Sequence, residues 1–179
     1  MEKILFASDI HGSAFWCEKL IQLIEWEKPD KICLLGDLLY HGPRNPLPDG
    51  YDPQKVAALL NGYKDRIVAV RGNCDAEVDQ LLLDFPARAD YTLLTVGKRE
   101  YFLTHGHLFD ADNPPALKKG DVLVNGHFHV PQIRPLENGA IYLNCGSVAL
   151  PKDSPHTCCI VTGAFPQIFD LESGRVHNL

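Results

Sequence analysis

Two histidines stand two residues apart in the stretch Gly126-His127-Phe128-His129, which directly follows a short apolar run at 122–124. Side chains two residues apart in extended backbone share one side, and neutral imidazole is the commonest metal ligand. The stretch therefore suits metal binding. By itself it is equally typical of two surface or hydrogen-bonded histidines, so its meaning depends on what else the chain supplies.

Five further oxygen and nitrogen donors follow other short apolar runs, which we interpret as buried strands. They are Asp9, His11, Asp37, Asn73 and His105. Because ligands of α/β sheets gather at the carboxyl ends of the strands, all seven donors are expected to meet at one edge. Each has an ordinary alternative, such as a helix cap for an aspartate, a turn residue for the asparagine or a hydrogen-bonded group for a histidine. Their joint occurrence favours a binding site.

Seven protein donors exceed the needs of one metal ion, which takes about four to six donors including water. With one carboxylate able to bridge, the set suits two ions roughly 3.5–4 Å apart, which would share a hydroxide and clamp a phosphoryl group. The donors are carboxylate, imidazole and amide, with no thiolate clearly placed. This chemistry favours manganese, iron or zinc and does not choose among them.

Three helices are predicted to separate the first strands. Ser13 is a predicted N-cap for a helix over Ala14–Glu27. Asp52 caps the next helix, with Pro53 at its first position. A short third helix is predicted through Val78, Leu81 and Leu82. The proline-rich stretch 40–50 is predicted to be a loop.

The second half of the chain has a strand-rich pattern. Hairpins are predicted at Gly97-Lys98 and at Asn138-Gly139, and two more strands follow at 158–162 and 165–171. The order β-α-β-α-β-α followed by a run of strands predicts a mostly parallel sheet with helices, packed on a second, largely antiparallel sheet.

Composition limits the classes of function. The chain has 179 residues, 45% apolar and 22% charged, which suits a single domain over residues 1–179. A net charge of −6 argues against stable, non-specific binding to nucleic acid. The first apolar run ends at Asp9, too soon for a signal peptide or a membrane span. The six cysteines lack a C-x-x-C pair, which predicts reduced thiols and a cytoplasmic protein without membrane contact.

The donor set, in order, resembles the calcineurin-like metallophosphoesterases. The motifs are Asp9-x-His11, Gly36-Asp37, Gly72-Asn73, His105 and Gly126-His127-x-His129, and the resemblance runs from residue 3 to about 150. The tracts at 41–45, 71–75 and 104–109 resemble the small bacterial YfcE-type phosphodiesterases within that family.

The resemblance implies a four-layer αββα sandwich of two mixed β-sheets and two divalent ions, with manganese the usual activator. Asp37 would bridge the ions. One ion would be held by Asp9, His11 and His129, and the other by Asn73, His105 and His127. The implied reaction is hydrolysis of a small phosphodiester by in-line attack of a metal-bound hydroxide.

Two departures from the family pattern affect the expected substrate. Tyr40 stands three positions after Asp37, where the family often has an acidic residue or arginine. Cys74 stands where most phosphatases of the family have a histidine that helps to protonate the leaving group. This favours diesters over monoesters, although Cys74 is equally interpreted as a small buried filler.

Further substrate contacts are predicted around the donors. Arg44, His41 and His107 are candidate contacts to phosphate or leaving group. Arg44 is equally interpreted as a solvated loop residue, and His107 as a group that holds a metal ligand. The alternatives to a phosphodiesterase are a phosphomonoesterase on the same scaffold and a non-catalytic metal-binding module, like the retromer subunit that shares this fold. A homo-oligomer is also expected.

Overall fold

The computed structural model describes residues 2–177, which form two β-sheets packed face to face. The strands in chain order are β1 (Lys3–Ala7), β2 (Lys31–Leu34), β3 (Ile67–Ala69), β4 (Tyr91–Val96), β5 (Arg99–Thr104), β6 (Val122–Asn125), β7 (Pro131–Pro135), β8 (Ile141–Cys145), β9 (Thr157–Thr162), β10 (Phe165–Asp170) and β11 (Arg175–His177). The helices are α1 (Ala14–Glu27), α2 (Pro53–Asn61) and two short 3₁₀ helices, Lys64–Arg66 and Glu77–Leu81. Within the described residues, no helix has the length and apolar character needed to cross a membrane.

Both sheets are mixed, which confirms the sandwich implied by the resemblance. The six-stranded sheet has the order β11-β10-β9-β1-β2-β3, and the five-stranded sheet the order β4-β5-β6-β8-β7. The division into a mostly parallel and a largely antiparallel sheet is wrong. In the first sheet β9, β10 and β11 are joined antiparallel onto β1. In the second, β6 lies parallel to both β5 and β8.

Alternating side chains build two cores from each central strand. In β1, Leu5 and Ala7 face the helices, whereas Ile4 and Phe6 face the other sheet. The same alternation places the neighbouring Cys158 and Cys159 of β9 in different cores. All six cysteines are free, and none of them forms a disulfide.

The helices cover only one outer face of the sandwich. Both α1 and α2 pack on the six-stranded sheet. In the described chain, the outer face of the five-stranded sheet is covered by loop residues, with Phe109 and Leu117 packed against Phe102 and Leu123. The fourth layer of the expected αββα order is therefore a loop between β5 and β6, with no helix assigned.

Helix boundaries largely follow the predicted signals. The Ser13 hydroxyl accepts a hydrogen bond from the Trp16 amide, and α1 ends at Lys28 in left-handed backbone. The Asp52 carboxylate accepts from the Lys55 amide at the start of α2. The third predicted helix is only a 3₁₀ turn, and Val78, Leu81 and Leu82 are exposed, so they contribute no buried face.

Candidate metal centre

Five strands end at the same place, and the predicted donors occupy the segments that follow them. Asp9 and His11 follow β1, Asp37 follows β2 and Asn73 follows β3 in the first sheet. His105 follows β5, and the His127 and His129 pair follows β6 in the second sheet. The two sheets are joined there directly, because the His127 amide donates to Asp9 Oδ2 at 2.9 Å. The structure thus brings all seven predicted donors together.

Most of these residues have an unusual backbone. Five of the seven have positive φ, between 48° and 63°: Asp9, His11, Asp37, His127 and His129. Non-glycine residues pay a steric cost in this region, and such strain concentrates at functional sites. Backbone hydrogen bonds hold the strained segments, including His11 N–H to the Asp37 carbonyl at 2.9 Å.

Glycines allow the segments to approach closely. A Cβ on Gly72 would lie 2.1 Å from Asp37 Oδ1, and a Cβ on Gly126 would lie 2.5 Å from Asp9 Oδ2. Any side chain at either position would displace a carboxylate of the centre. The predicted Gly72-Asn73 and Gly126-His127 motifs are therefore explained by packing against the donors themselves.

Backbone carbonyls fix the orientation of three imidazoles. Nδ1 of His11, His105 and His129 faces the carbonyl oxygen of Tyr40 (2.9 Å), Leu35 (2.7 Å) and Leu150, respectively. A carbonyl oxygen only accepts, so each Nδ1 carries a proton and each neutral ring presents a lone pair at Nε2. This is the arrangement that supports metal-binding histidines.

The inward-facing atoms are acceptors without a donor between them. His129 Nε2 lies 3.0 Å from Asp9 Oδ1, and His11 Nε2 lies 3.5 Å from the same oxygen. Asp9 Oδ1 and His11 Nε2 are both buried without a hydrogen-bond partner in the described residues. Two lone pairs at such distances need a proton or a cation between them, because a buried unpaired acceptor is costly. The donor set therefore fits a metal ion.

A second group of acceptors meets around His105. Its Nε2 lies 3.0 Å from Asn73 Oδ1, 3.2 Å from His127 Nδ1 and 3.4 Å from Asp37 Oδ2. Asp37 Oδ2 also lies 3.7 Å from His11 Nε2. Asp37 thus stands between the two groups, as its predicted bridging position requires.

Charges in the centre shift the pKa values in opposite directions. Burial works to raise the pKa of Asp9, but the His11 and His129 imidazoles hold it well below its usual value. Burial works to lower the pKa of His105, yet Asp37 and Asp9 raise it to about 9. Burial and the neighbouring His105 lower the pKa of His127 to about 4. Without a bound cation, the proton on His105 therefore supplies positive charge next to the carboxylates.

Cys74 is closer to the donors than the sequence indicated. Its Sγ lies within 4.8 Å of ligand atoms of His11 and Asp37, and its amide donates to Asp37 Oδ1 at 2.8 Å. Burial and the charge of Asp37 raise the pKa of the thiol to about 12, so it is neutral at physiological pH. The sequence places no thiolate among the donors, and the structure adds a neutral thiol beside them.

Asp75 is a positioning residue that sequence reasoning missed. Its carboxylate accepts hydrogen bonds from the amides of Asp37 (2.7 Å), Leu38 (2.8 Å) and Gly72 (2.7 Å). It thereby joins the segment after β2 to the segment after β3 and helps to hold Asp37 in its strained backbone. Its place directly after Asn73-Cys74 was the available signal.

A cavity of about 420 Å³ opens beside the centre. It is lined by Asp37, Tyr40, Gly42, Pro43, Arg44, Asn45, Asn73, Cys74, His127, Phe128, His129 and Lys152. Of the three predicted substrate contacts, Arg44 lines it. His41 packs edge-on against Tyr51 instead, and His107 lies beside His105 and His127 without lining the cavity. Lys152 was missed, because nothing in its local sequence links it to the donors.

Comparison with known proteins agrees with this geometry. The sequence profile of the calcineurin-like phosphoesterase superfamily domain matches residues 2–164. The curated phosphodiesterase YfcE of Escherichia coli K12 is 50% identical over 153 residues, which are 85% of this chain and 82% of that protein.

Solved structures show the same fold. The structure of the phosphoesterase YfcE from Escherichia coli has a TM-score of 0.95 at 42% identity, covering 98% of this chain and 97% of that one. Vacuolar protein sorting 29 from Cryptosporidium parvum has a TM-score of 0.65 at 17% identity, covering 98% and 94%. The second likeness is one of fold alone.

Proposed function

The chain belongs to the calcineurin-like phosphoesterase superfamily, and from that premise we propose that it is a phosphodiesterase whose centre holds two divalent cations. The observation that carries the proposal is the convergence of buried lone pairs in two groups that share Asp37. The phosphodiesterase YfcE, at 50% identity, supports the reaction class.

The residues divide between the two cations as their contacts suggest. Asp9, His11 and His129 would hold one, Asn73, His105 and His127 would hold the other, and Asp37 would be shared between them. When bound, the cations supply positive charge for the phosphoryl oxygens and an activated water as nucleophile. Carboxylate, imidazole and amide donors suit manganese, with zinc or iron as alternatives.

The remaining side chains of the cavity can bind the substrate, but neither Arg44 nor Cys74 is a good proton donor for the leaving group. Arg44 in the cavity wall suits phosphate oxygens. Cys74, the side chain that follows Asn73, is a neutral thiol with a pKa of about 12 and a weak hydrogen-bond donor. Cleavage of esters whose leaving group must be protonated is therefore expected to be slow, which favours diesters with acidic leaving groups.

The test compares bis(4-nitrophenyl) phosphate with 4-nitrophenyl phosphate in the manganese-loaded enzyme. We expect a clear preference for the diester. In Cys74→His an imidazole enters the cavity wall, and the monoester-to-diester ratio of kcat/KM should rise by about 10²-fold. Cys74→Ser is the matched control, because it changes the side chain without adding an imidazole.

The outcomes separate the alternatives. A wild-type preference for the monoester would make the protein a phosphomonoesterase. Two bound cations with neither ester cleaved would favour a non-catalytic module. An unchanged ratio in Cys74→His at equal metal content would show that residue 74 does not set the preference.

We also propose a small substrate and a cytoplasmic homo-oligomer. The net charge of −6 disfavours a polyanionic polymer as a stable partner, and free thiols suit a reducing compartment. Sedimentation of the full chain tests the oligomeric state, and a monomer across the working concentration range would contradict it.

A further inference from the structure

The cavity beside the metal centre has two cationic side chains in its wall. Arg44 and Lys152 both line it, and neither forms an ion pair with another described residue. Its volume of about 420 Å³ falls in the range of small-molecule sites and exceeds the needs of one phosphoryl group. Two free cations therefore face space that a larger ligand could fill.

Lys152 is held at a fixed place relative to the centre. Its amide donates to the His129 carbonyl at 3.0 Å. The ring of the same histidine faces the Leu150 carbonyl through Nδ1. The segment 150–152 is thus attached to His129 through two hydrogen bonds, and its lysine side chain is presented from a defined backbone position.

Arg44 is presented in a similar way from the opposite segment. The Tyr40 carbonyl binds His11 Nδ1 at 2.9 Å, and the turn that follows is closed by Asn45 Nδ2, which donates to the His41 carbonyl at 2.8 Å. Each cation thus extends from a segment whose backbone is hydrogen-bonded to a predicted metal ligand. The backbone segments that carry both side chains are therefore tied to the predicted metal ligands.

A count of charges shows what Arg44 and Lys152 add to the two metal ions. Two divalent cations held by the carboxylates of Asp9 and Asp37, together with the hydroxide nucleophile, would leave a net charge of about +1, and a phosphodiester carries one negative charge. The metal centre alone would therefore neutralise a simple diester. In a protein with a net charge of −6, Arg44 and Lys152 are two more positive charges in the cavity wall, and a simple diester has no second anionic group to pair with them.

We propose that Arg44 and Lys152 form a second anion subsite, and that the substrate is a phosphodiester carrying a further anionic group next to the scissile phosphate. The inference rests on the proposed phosphodiesterase function and names the substrate class of the same site. A terminal phosphate and a carboxylate share the required charge. Tyr40 and Phe128 also line the cavity, each residue is about two fifths exposed, and their rings offer flat surfaces to a base or aryl group.

The test uses matched thymidine substrates that release 4-nitrophenolate. Thymidine 5′-(4-nitrophenyl phosphate) is compared with the same compound carrying a 3′-phosphate, and with its 3′-O-succinyl ester as the carboxylate arm. For the manganese-loaded wild type we expect kcat/KM to rise about tenfold with the added anion. Lys152→Gln and Arg44→Gln should each reduce that advantage several-fold, whereas the control Lys98→Gln, at an exposed hairpin turn, keeps it.

A binding measurement keeps the inference independent of turnover. Thymidine 3′,5′-bisphosphate should bind the manganese-loaded protein about tenfold more tightly than thymidine 5′-phosphate by calorimetry, and Lys152→Gln should remove most of this difference. Equal affinities in the wild type, or a difference unaffected by both substitutions, would overturn the subsite. Cleavage of the simple diester without an anion preference would overturn the subsite alone, whereas binding preference without cleavage of any diester would overturn the proposed function alone.

Discussion

The two halves of the proposed metal centre differ in their surroundings. The enclosed half, which consists of Asp9, His11 and His129, is buried, and its first two members have no exposed surface. The open half consists of Asn73, His105 and His127. Here Asn73 is exposed and His127 is half-buried, and both line the cavity. His129 of the enclosed half also lines the cavity, and His105 of the open half is fully buried. The enclosed half therefore lies deeper overall, while the open half presents two of its three donors to the space where substrate must enter.

The two halves are therefore expected to bind cations differently. The enclosed half contains a carboxylate of its own, and carbonyl oxygens orient both of its imidazoles, whereas in the open half a carbonyl oxygen orients His105 alone. The open half has only neutral donors besides the shared Asp37. We therefore expect tighter cation binding in the enclosed half and easier exchange in the open half.

The shared carboxylate offers the strongest test of this comparison, because removing it affects both halves. In Asp37→Asn the bridging charge is lost and two cations would face each other without it. We expect a fall in kcat/KM of about 10³-fold or more, and a metal content below that of the wild type after dialysis. Asp112→Asn, at an exposed loop position, is the control. Full activity with two bound metals would contradict the bridging assignment.

Paired substitutions in the two halves should differ in stability. Asp9→Asn replaces a buried carboxylate that faces two imidazoles and accepts the His127 amide. In the presence of a chelator it should lower the free energy of unfolding by about 3 kcal/mol. Asn73→Ala, at an exposed position, should change it by about 0.5 kcal/mol or less. Urea denaturation measures both, and equal losses would remove the distinction between the halves.

The pH dependence of stability in the metal-free protein tests whether a proton on His105 takes the place of a bound cation. The pKa of His105 is raised from 6.5 to about 9, so its protonated form stabilises the fold fully below about pH 6.5. That contribution is lost as the pH rises through about 9. Manganese affinity should rise over the same window, by up to about tenfold per pH unit for each displaced proton. A flat stability profile across this window would contradict the assigned shift, and His105→Gln should flatten both profiles.

Metal removal should have the smallest effect on the fold. The two cores on either side of the six-stranded sheet are apolar and contain no predicted ligand, so they do not need a cation to form. After chelation the far-ultraviolet circular dichroism should stay the same and the thermal transition should remain cooperative at a lower midpoint. Loss of the spectrum on chelation would show that the enclosed half is a structural site.

Much of the fold follows from local pattern. The Ser13 cap, the proline at the start of α2 and the Gly97-Lys98 hairpin lie where local chemistry predicts them. Local pattern did not predict how the last strands pair, because β9 pairs with β1 across about 150 residues of chain. Local periodicity reports which residues are buried and is silent on which strand lies beside which.

The family, the seven predicted donors and their order can be recognised in the sequence alone, since each predicted donor stands beside a strand end and its type is visible in the chain. How these side chains are oriented and surrounded depends on the tertiary structure. It turned three imidazoles with Nε2 inward through distant carbonyl oxygens, brought the Cys74 thiol to the donors, and placed Asp75 under Asp37. It also placed Lys152, which the sequence did not single out, in the cavity wall. These features depend on contacts between segments far apart in sequence, and such contacts exist only once the two sheets have packed together.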